Sequence, residues 1–372
     1  MASVVSRIEA ATPADRDRGV DALRALAILG VVTGHWLVTA WVRGPGGTMR
    51  ITSPLSPLPS LTPLSWVFQT LAVFFFVGGY AAARSLRPGR DRPARVRARF
   101  DRLLRPVGPL VLVWTGIAAG MALHGMPHEA IRALVLPAVG PVWFLAVFAA
   151  LNAATPLLTR VRPGVTAGCA VAVVLVVDVI RFGQAGPEWL KWGNLAAGWL
   201  VPYALGIDWA NGALASRRAA AGLLAAGVAG TAVLVTVFGY PASMVGVTGA
   251  KVSNLSPPTL AAAFFGIAQV GLALLAREPL ARLMRRPRLW AAVATLNLGA
   301  MTIFLWHQTA LAVTALAALR FGDVAGLLAS PTEPRWPLHR LGWFPVFAAL
   351  LALAALPRFV RGRFNDRVSS ST

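Results

Sequence analysis

Long apolar stretches, each closed off by arginine, proline or glycine, constrain this chain more than any other feature. A helix crossing the hydrocarbon of a bilayer needs about 20 mostly apolar residues, because in lipid every backbone N–H and C=O must be bonded within the element. Segments 20–41, 61–86, 106–124, 141–158, 164–182, 193–212, 217–239, 258–276, 290–318 and 342–358 meet that demand. Breakers separate them: Gly44-Pro45-Gly46-Gly47, Pro54 to Pro59, Arg87-Pro88-Gly89, Arg162-Pro163, Gly239 to Pro258, and Ser330-Pro331 to Pro337. The pattern predicts an all-α polytopic membrane protein, a bundle of about ten transmembrane helices.

Composition agrees: 56% of residues are hydrophobic and 13% charged, with a mean hydropathy of +0.64. A net charge of +21 would suggest nucleic acid for a soluble protein, but here the arginines punctuate apolar segments instead of forming a stripe. Nucleic acid is therefore not an expected partner. Most of the 35 lysines and arginines fall before residue 19, in 84–105, at 160–162 and 217–218, in 277–288, and from 358 onward. Those stretches alternate along the segments, so the positive-inside bias places both termini in the cytoplasm. We expect a cytoplasmic tail over 1–19, a transmembrane domain over 20–358, a second cytoplasmic tail over 359–372, and residence in the cell membrane, of the bacterial cytoplasmic kind. The first 19 residues lack the apolar core of a cleavable signal peptide. Cys169 is the only cysteine, which excludes an internal disulfide, a cysteine zinc site or an iron–sulfur cluster. No P-loop, dinucleotide glycine fingerprint, His-Glu-x-x-His helix or Gly-x-Ser-x-Gly elbow stands in its required context, so we expect no metal and no bound cofactor.

Ionisable groups inside apolar spans are costly, and so mark function by default. The first span places Arg24 and His35 eleven residues apart. At about 100° per residue that is about 20° past three turns, on one face, with a rise of about 16 Å. Arg24 is expected near the cytoplasmic mouth and His35 deeper. The plainer reading is a snorkelling arginine and a structural histidine. His307, in Phe304-Leu-Trp-His-Gln308, reaches a similar depth in a span running the same way. Two imidazoles at one level could act as base and orienting partner, or His307 could be structural. Nine arginines crowd Arg84 to Arg105, ending in Arg99, Arg102 and Arg105, and guanidinium groups grip phosphate; a topology signal on acidic lipid is the competing reading. Asp178 is an intramembrane carboxylate that pairs either with a histidine or, more plainly, with Arg181. Trp143 lines a substrate path or sits at the interface. His124 and His128 read as loop residues. The loop from Pro241 to Pro258 is a polar outer segment that could touch a carbohydrate.

Arg18-Gly-Val-Asp21-Ala-Leu-Arg24, ten residues and then His35 resembles the opening motif of the acyltransferase 3 family of membrane O-acyltransferases. Phe74-Phe-Phe-Val-Gly-Gly79-Tyr80, the basic stretch Arg99 to Pro106, Pro141-Val-Trp143-Phe144-Leu145 and Phe304-Leu-Trp-His307 resemble its later signatures in order. One position departs: the family usually has serine where this chain has Gly78. The resemblance implies transfer of an acyl group, often acetyl, from acyl-coenzyme A to a hydroxyl of a carbohydrate, lipid or metabolite. Under it, His35 is the base, with His307 beside it, Arg24 positions the donor, and Arg99, Arg102 and Arg105 hold its phosphates. Tyr80, Trp143 and Asp178 then lie along the substrate path. The rival reading is a transporter or flippase for a lipid-linked sugar or small anionic metabolite.

Overall fold

The computed structural model describes residues 4–44, 49–86, 97, 100, 101, 103–183 and 186–355. Arg99, Arg102 and the tail 359–372 lie outside them. The described chain is almost wholly helical: α1 (Val4–Ala10), α2 (Arg18–Val38), α3 (Thr62–Phe68), α4 (Leu71–Arg84), α5 (Val107–Leu123), α6 (His128–Val139), α7 (Val142–Leu158), α8 (Val165–Gly183), α9 (Gly193–Ala210), α10 (Arg217–Thr236), α11 (Leu260–Leu283), α12 (Pro287–Ala318) and α13 (Trp336–Gly342), followed by a helical stretch over 344–355. One hairpin interrupts it, β1 (Ala40–Arg43) pairing antiparallel with β2 (Met49–Thr52) in the register Trp41 to Ile51.

Among the described residues eight helices are long and apolar enough to cross a membrane: Arg18–Val38, Pro59–Arg84, His128–Leu158, Val165–Gly183, Arg217–Thr236, Leu260–Leu283, Pro287–Phe321 and Trp336–Ala355. The other two expected segments coincide with α5, an apolar helix of 17 residues, and α9, of 18. Boundaries moved for local reasons. His128 opens α6 and is not a loop residue, because His128–Val139 carries an amphipathic pattern that buries Ala130, Leu134 and Ala138. Pro337 belongs to the first turn of α13, where its missing N–H has no helical partner to lose.

The chain forms two compact units, of which residues up to 31, 62–102 and 144–298 form one. Its core gathers Val20, Leu23, Phe76, Val77, Ala170, Val201, Leu205 and Val270 from five helices. Between apolar helices in lipid, close backbone approach replaces the hydrophobic effect as the source of cohesion. The α4–α9 pair shows it: a Cβ on Gly79 would lie 2.1 Å from the Tyr203 carbonyl oxygen, and one on Gly206 would lie 2.0 Å from that of Phe76. Only glycine fits at either point. At the start of α2, Asp17 accepts the Val20 N–H at 3.1 Å as N-cap. Arg18 bonds Glu9 and the Met284 carbonyl and lies 4.8 Å over Trp290, so α1 is moored to this unit.

The second unit takes residues 32–61, 103–143 and from 299 onward. Buried tryptophans tie it together through their indole N–H groups: Trp41 to the Ala133 carbonyl at 2.8 Å, and Trp114 to the Thr309 hydroxyl at 3.0 Å. Trp36 packs edge-on to Phe344, with ring centroids 5.2 Å apart.

Candidate active site

In the second unit His35, on the last turn of α2, meets His307 of α12 with Nδ1 to Nε2 at 2.7 Å. The ring planes are within 13° and the centroids 4.9 Å apart. With the nitrogens so much closer than the centroids, the rings meet edge to edge in one plane and share a hydrogen bond, not a π-stack. The other nitrogen of His307, Nδ1, lies 2.7 Å from the Phe304 carbonyl oxygen. A carbonyl can only accept, so His307 Nδ1 carries the hydrogen and its Nε2, in the neutral ring, presents a lone pair. That lone pair accepts the Nδ1–H of His35, which leaves the lone pair of His35 on Nε2. His307 is fully buried, whereas His35 is only partly so. The free lone pair of the pair therefore stands on the more exposed ring.

Neighbouring bonds hold the pair in place. The Trp36 indole donates to the His307 carbonyl at 2.9 Å, and Gln308 donates to the Thr39 hydroxyl at 3.1 Å. Arg340, fully buried, donates to the Thr39 carbonyl at 3.0 Å and lies 4.7 Å under the Trp336 ring. Its Nε and Nη1 have no acceptor among the described residues. Arg340 is not among the residues expected from the sequence. The available signal was its setting among Trp336, Trp343, Phe344 and Phe347.

The first unit holds Arg24, Tyr80 and Asp178. Arg24 stands 3.8 Å from Asp21 one turn earlier, while Arg16 grips the same carboxylate at 2.5 and 2.8 Å. That bond to Asp21 raises the pKa of Arg16. Tyr80 stacks on Trp209 at 4.1 Å. Asp178 makes no ion pair with Arg181 among the described residues. Its carboxylate accepts from Asn194 at 2.9 Å, the Tyr240 hydroxyl at 3.0 Å and the Leu260 N–H at 2.8 Å. Burial and the neighbouring Asp178 push the Tyr240 phenol up, which keeps it a donor. Asp178 thus ties α8 to α9 and to the start of α11. The segment from Pro241 to Pro258 is also built in: Asn254, fully buried, donates to the carbonyls of Pro241 and Ser243 and accepts from Thr259. In the second unit, Trp143 is 36% exposed at the start of α7, and Arg105 is exposed before α5. No cluster of three or more His, Cys, Asp or Glu able to hold a metal occurs among the described residues.

Residues 17–357 match the acyltransferase domain of the acyltransferase 3 family. The chain belongs to that family. With its apolar helices, this acyltransferase 3 protein is a multi-pass membrane acyltransferase. No curated protein and no solved structure matches it. At Gly78 a Cβ would lie 2.3 Å from the Phe148 ring. In this acyltransferase 3 chain Phe148, which also packs edge-on to Phe74 at 5.2 Å, fills the space a serine would need.

Proposed function

We propose that this acyltransferase moves an acyl group, acetyl in the simplest case, from acyl-coenzyme A to a hydroxyl of a carbohydrate, lipid or metabolite, with His35 as general base. The observation that carries the reading is the bond sequence from His35 through His307 to the Phe304 carbonyl, which leaves Nε2 of His35 as the proton acceptor. His35 Nε2 takes the proton of the acceptor hydroxyl, whose oxygen attacks the thioester carbonyl. The tetrahedral intermediate collapses with loss of the coenzyme thiolate, which receives the proton back from His35. The products are an ester and free coenzyme A. His307 orients the ring and accepts its Nδ1–H while His35 is charged, the part of the third group in a catalytic triad.

In the same reading Arg24 positions the donor and Arg99, Arg102 and Arg105 hold its phosphates on the cytoplasmic side, where both termini and the tails 1–19 and 359–372 also lie. The transmembrane domain is 20–358, of about ten spans, in a bacterial cytoplasmic membrane. Trp143 flanks the acceptor path. Membranes carrying the protein should move labelled acetyl from acetyl-coenzyme A into lipid or carbohydrate, and His35→Ala, inserted to the same level, should abolish it. Transfer that survives His35→Ala would remove His35 from the mechanism.

A further inference from the structure

The close approach of α4 and α9 at Gly79 and Gly206 has a second consequence, at the ends of those helices. Tyr80, Arg84, Trp209, Asn211, Gly212 and Arg277 line a cleft of about 530 Å³, within the size range of small-molecule and cofactor sites. Two guanidinium groups face it. Arg84 is exposed, lies 5.7 Å over the Tyr80 ring, and has no acceptor among the described residues. Arg277 is held from the opposite side: its Nε and Nη2 donate to Asp17 at 2.9 and 2.6 Å, and it sits 5.6 Å over Trp209. One edge of that guanidinium is thereby used for positioning. Its Nη1 has no acceptor among the described residues.

The charges in the cleft can be weighed. Arg277 and Asp17 cancel, Arg84 contributes one positive charge, and the C-terminal ends of α4 and of α9 each oppose it with about half a negative charge. The carbonyls of Ile207, Asp208 and Trp209 in the α9 end already accept from Asn211, Ala213 and Gly212. The charged side chains that line the cleft are Arg84 and Arg277, and Arg84 begins the run of nine arginines that ends at Arg105. Stacked Tyr80 and Trp209 give the cleft an apolar wall beside its cations.

We propose that this cleft binds a phosphate ester of the acyl donor, with the phosphate between Arg84 and Arg277 and the rest of the nucleotide along the Tyr80–Trp209 wall. The assignment rests on the reading of the donor as acyl-coenzyme A. An anionic phospholipid headgroup offers the same phosphate chemistry, so the test separates the two sources. The full chain is placed in phosphatidylcholine nanodiscs and titrated with labelled coenzyme A, with adenosine 3′,5′-bisphosphate as competitor. Arg84→Gln should weaken binding by about 10- to 100-fold, the loss of one charged hydrogen bond. Arg277→Lys should weaken it less, and the bisphosphate should compete. His35→Ala should bind as the unmodified protein does while failing in transfer. Arg84 is exposed, so its variant should fold, and equal thermal unfolding checks this.

Unchanged binding by Arg84→Gln and Arg277→Lys would overturn the site while leaving the donor reading standing. No coenzyme A binding by the unmodified protein would overturn both. In phosphatidylglycerol discs, loss of co-purifying phosphatidylglycerol from Arg84→Gln with coenzyme A binding intact would give the cleft to a lipid headgroup and overturn the donor assignment.

Discussion

Replacing His307 by phenylalanine keeps a flat ring in the buried site but removes the acceptor of the His35 Nδ1–H, 2.7 Å away. While His35 is neutral, that hydrogen bond is worth about 0.5–1.5 kcal/mol; once His35 is protonated in the transition state it becomes charge-assisted and worth about 1.5–3 kcal/mol. Only the difference speeds the reaction. It is roughly 1–2 kcal/mol, or about 5- to 30-fold in rate. Freed of its partner, His35 also loses its preference for the tautomer with the lone pair on Nε2, adding roughly another factor of two to the loss. His307→Phe should therefore lower the turnover number about 10- to 60-fold, with the donor KM unchanged, while His35→Ala falls to the background of empty membranes. The assay is the initial rate of labelled acetyl transfer, normalised to folded protein by thermal unfolding in detergent. A rate within twofold of the unmodified protein would refute the orienting role. A loss as complete as that of His35→Ala, with folding intact, would instead make His307 the base.

Two further substitutions test the structural readings of Asp178 and Gly78. Asp178→Ala leaves the buried Asn194 amide and Leu260 N–H and the partly buried Tyr240 hydroxyl without an acceptor and should cost about 2–4 kcal/mol of stability. Asp178→Asn should cost about 1 kcal/mol or less, because the Asn194 side-chain oxygen, without a partner among the described residues, can accept once that amide turns over. Thermal unfolding reads both, and loss of activity in a well-folded Asp178→Asn would show that the charge itself is used. Gly78→Ser sets a Cβ 2.3 Å from the Phe148 ring and should destabilise by about 1–3 kcal/mol. Trimming the ring in the double variant Gly78→Ser, Phe148→Leu should recover part of that, and a purely additive double variant would deny the clash.

Much of the architecture was readable because the lipid solvent imposes a length rule: ten apolar segments were expected and each coincides with helix in the described chain. The ten segments left out α6, which joins α7 in the apolar stretch His128–Leu158, and the β1–β2 hairpin, which is too short for the rule; packing orders both, as where Trp41 reaches the Ala133 carbonyl. In the site, matched depth brought His35 and His307 under joint suspicion, since rise per residue is a property of the helix alone. Asp178 was misread as a partner of Arg181 because three residues of separation suggested an ion pair, whereas its donors come from 16, 62 and 82 residues away.

By itself, then, the sequence determined the membrane-spanning helical character and the chemistry-bearing residue types within the spans, which follow from local composition and spacing, and the family, which its ordered motifs resemble and the domain match over 17–357 shows. The tertiary structure alone decided which nitrogen of His35 carries the lone pair, that Arg340 is sealed beneath Trp336, and that Arg84 and Arg277 face one cleft. A hydrogen-bond direction or a shared cavity depends on groups far apart in the chain, and only packing brings them within reach.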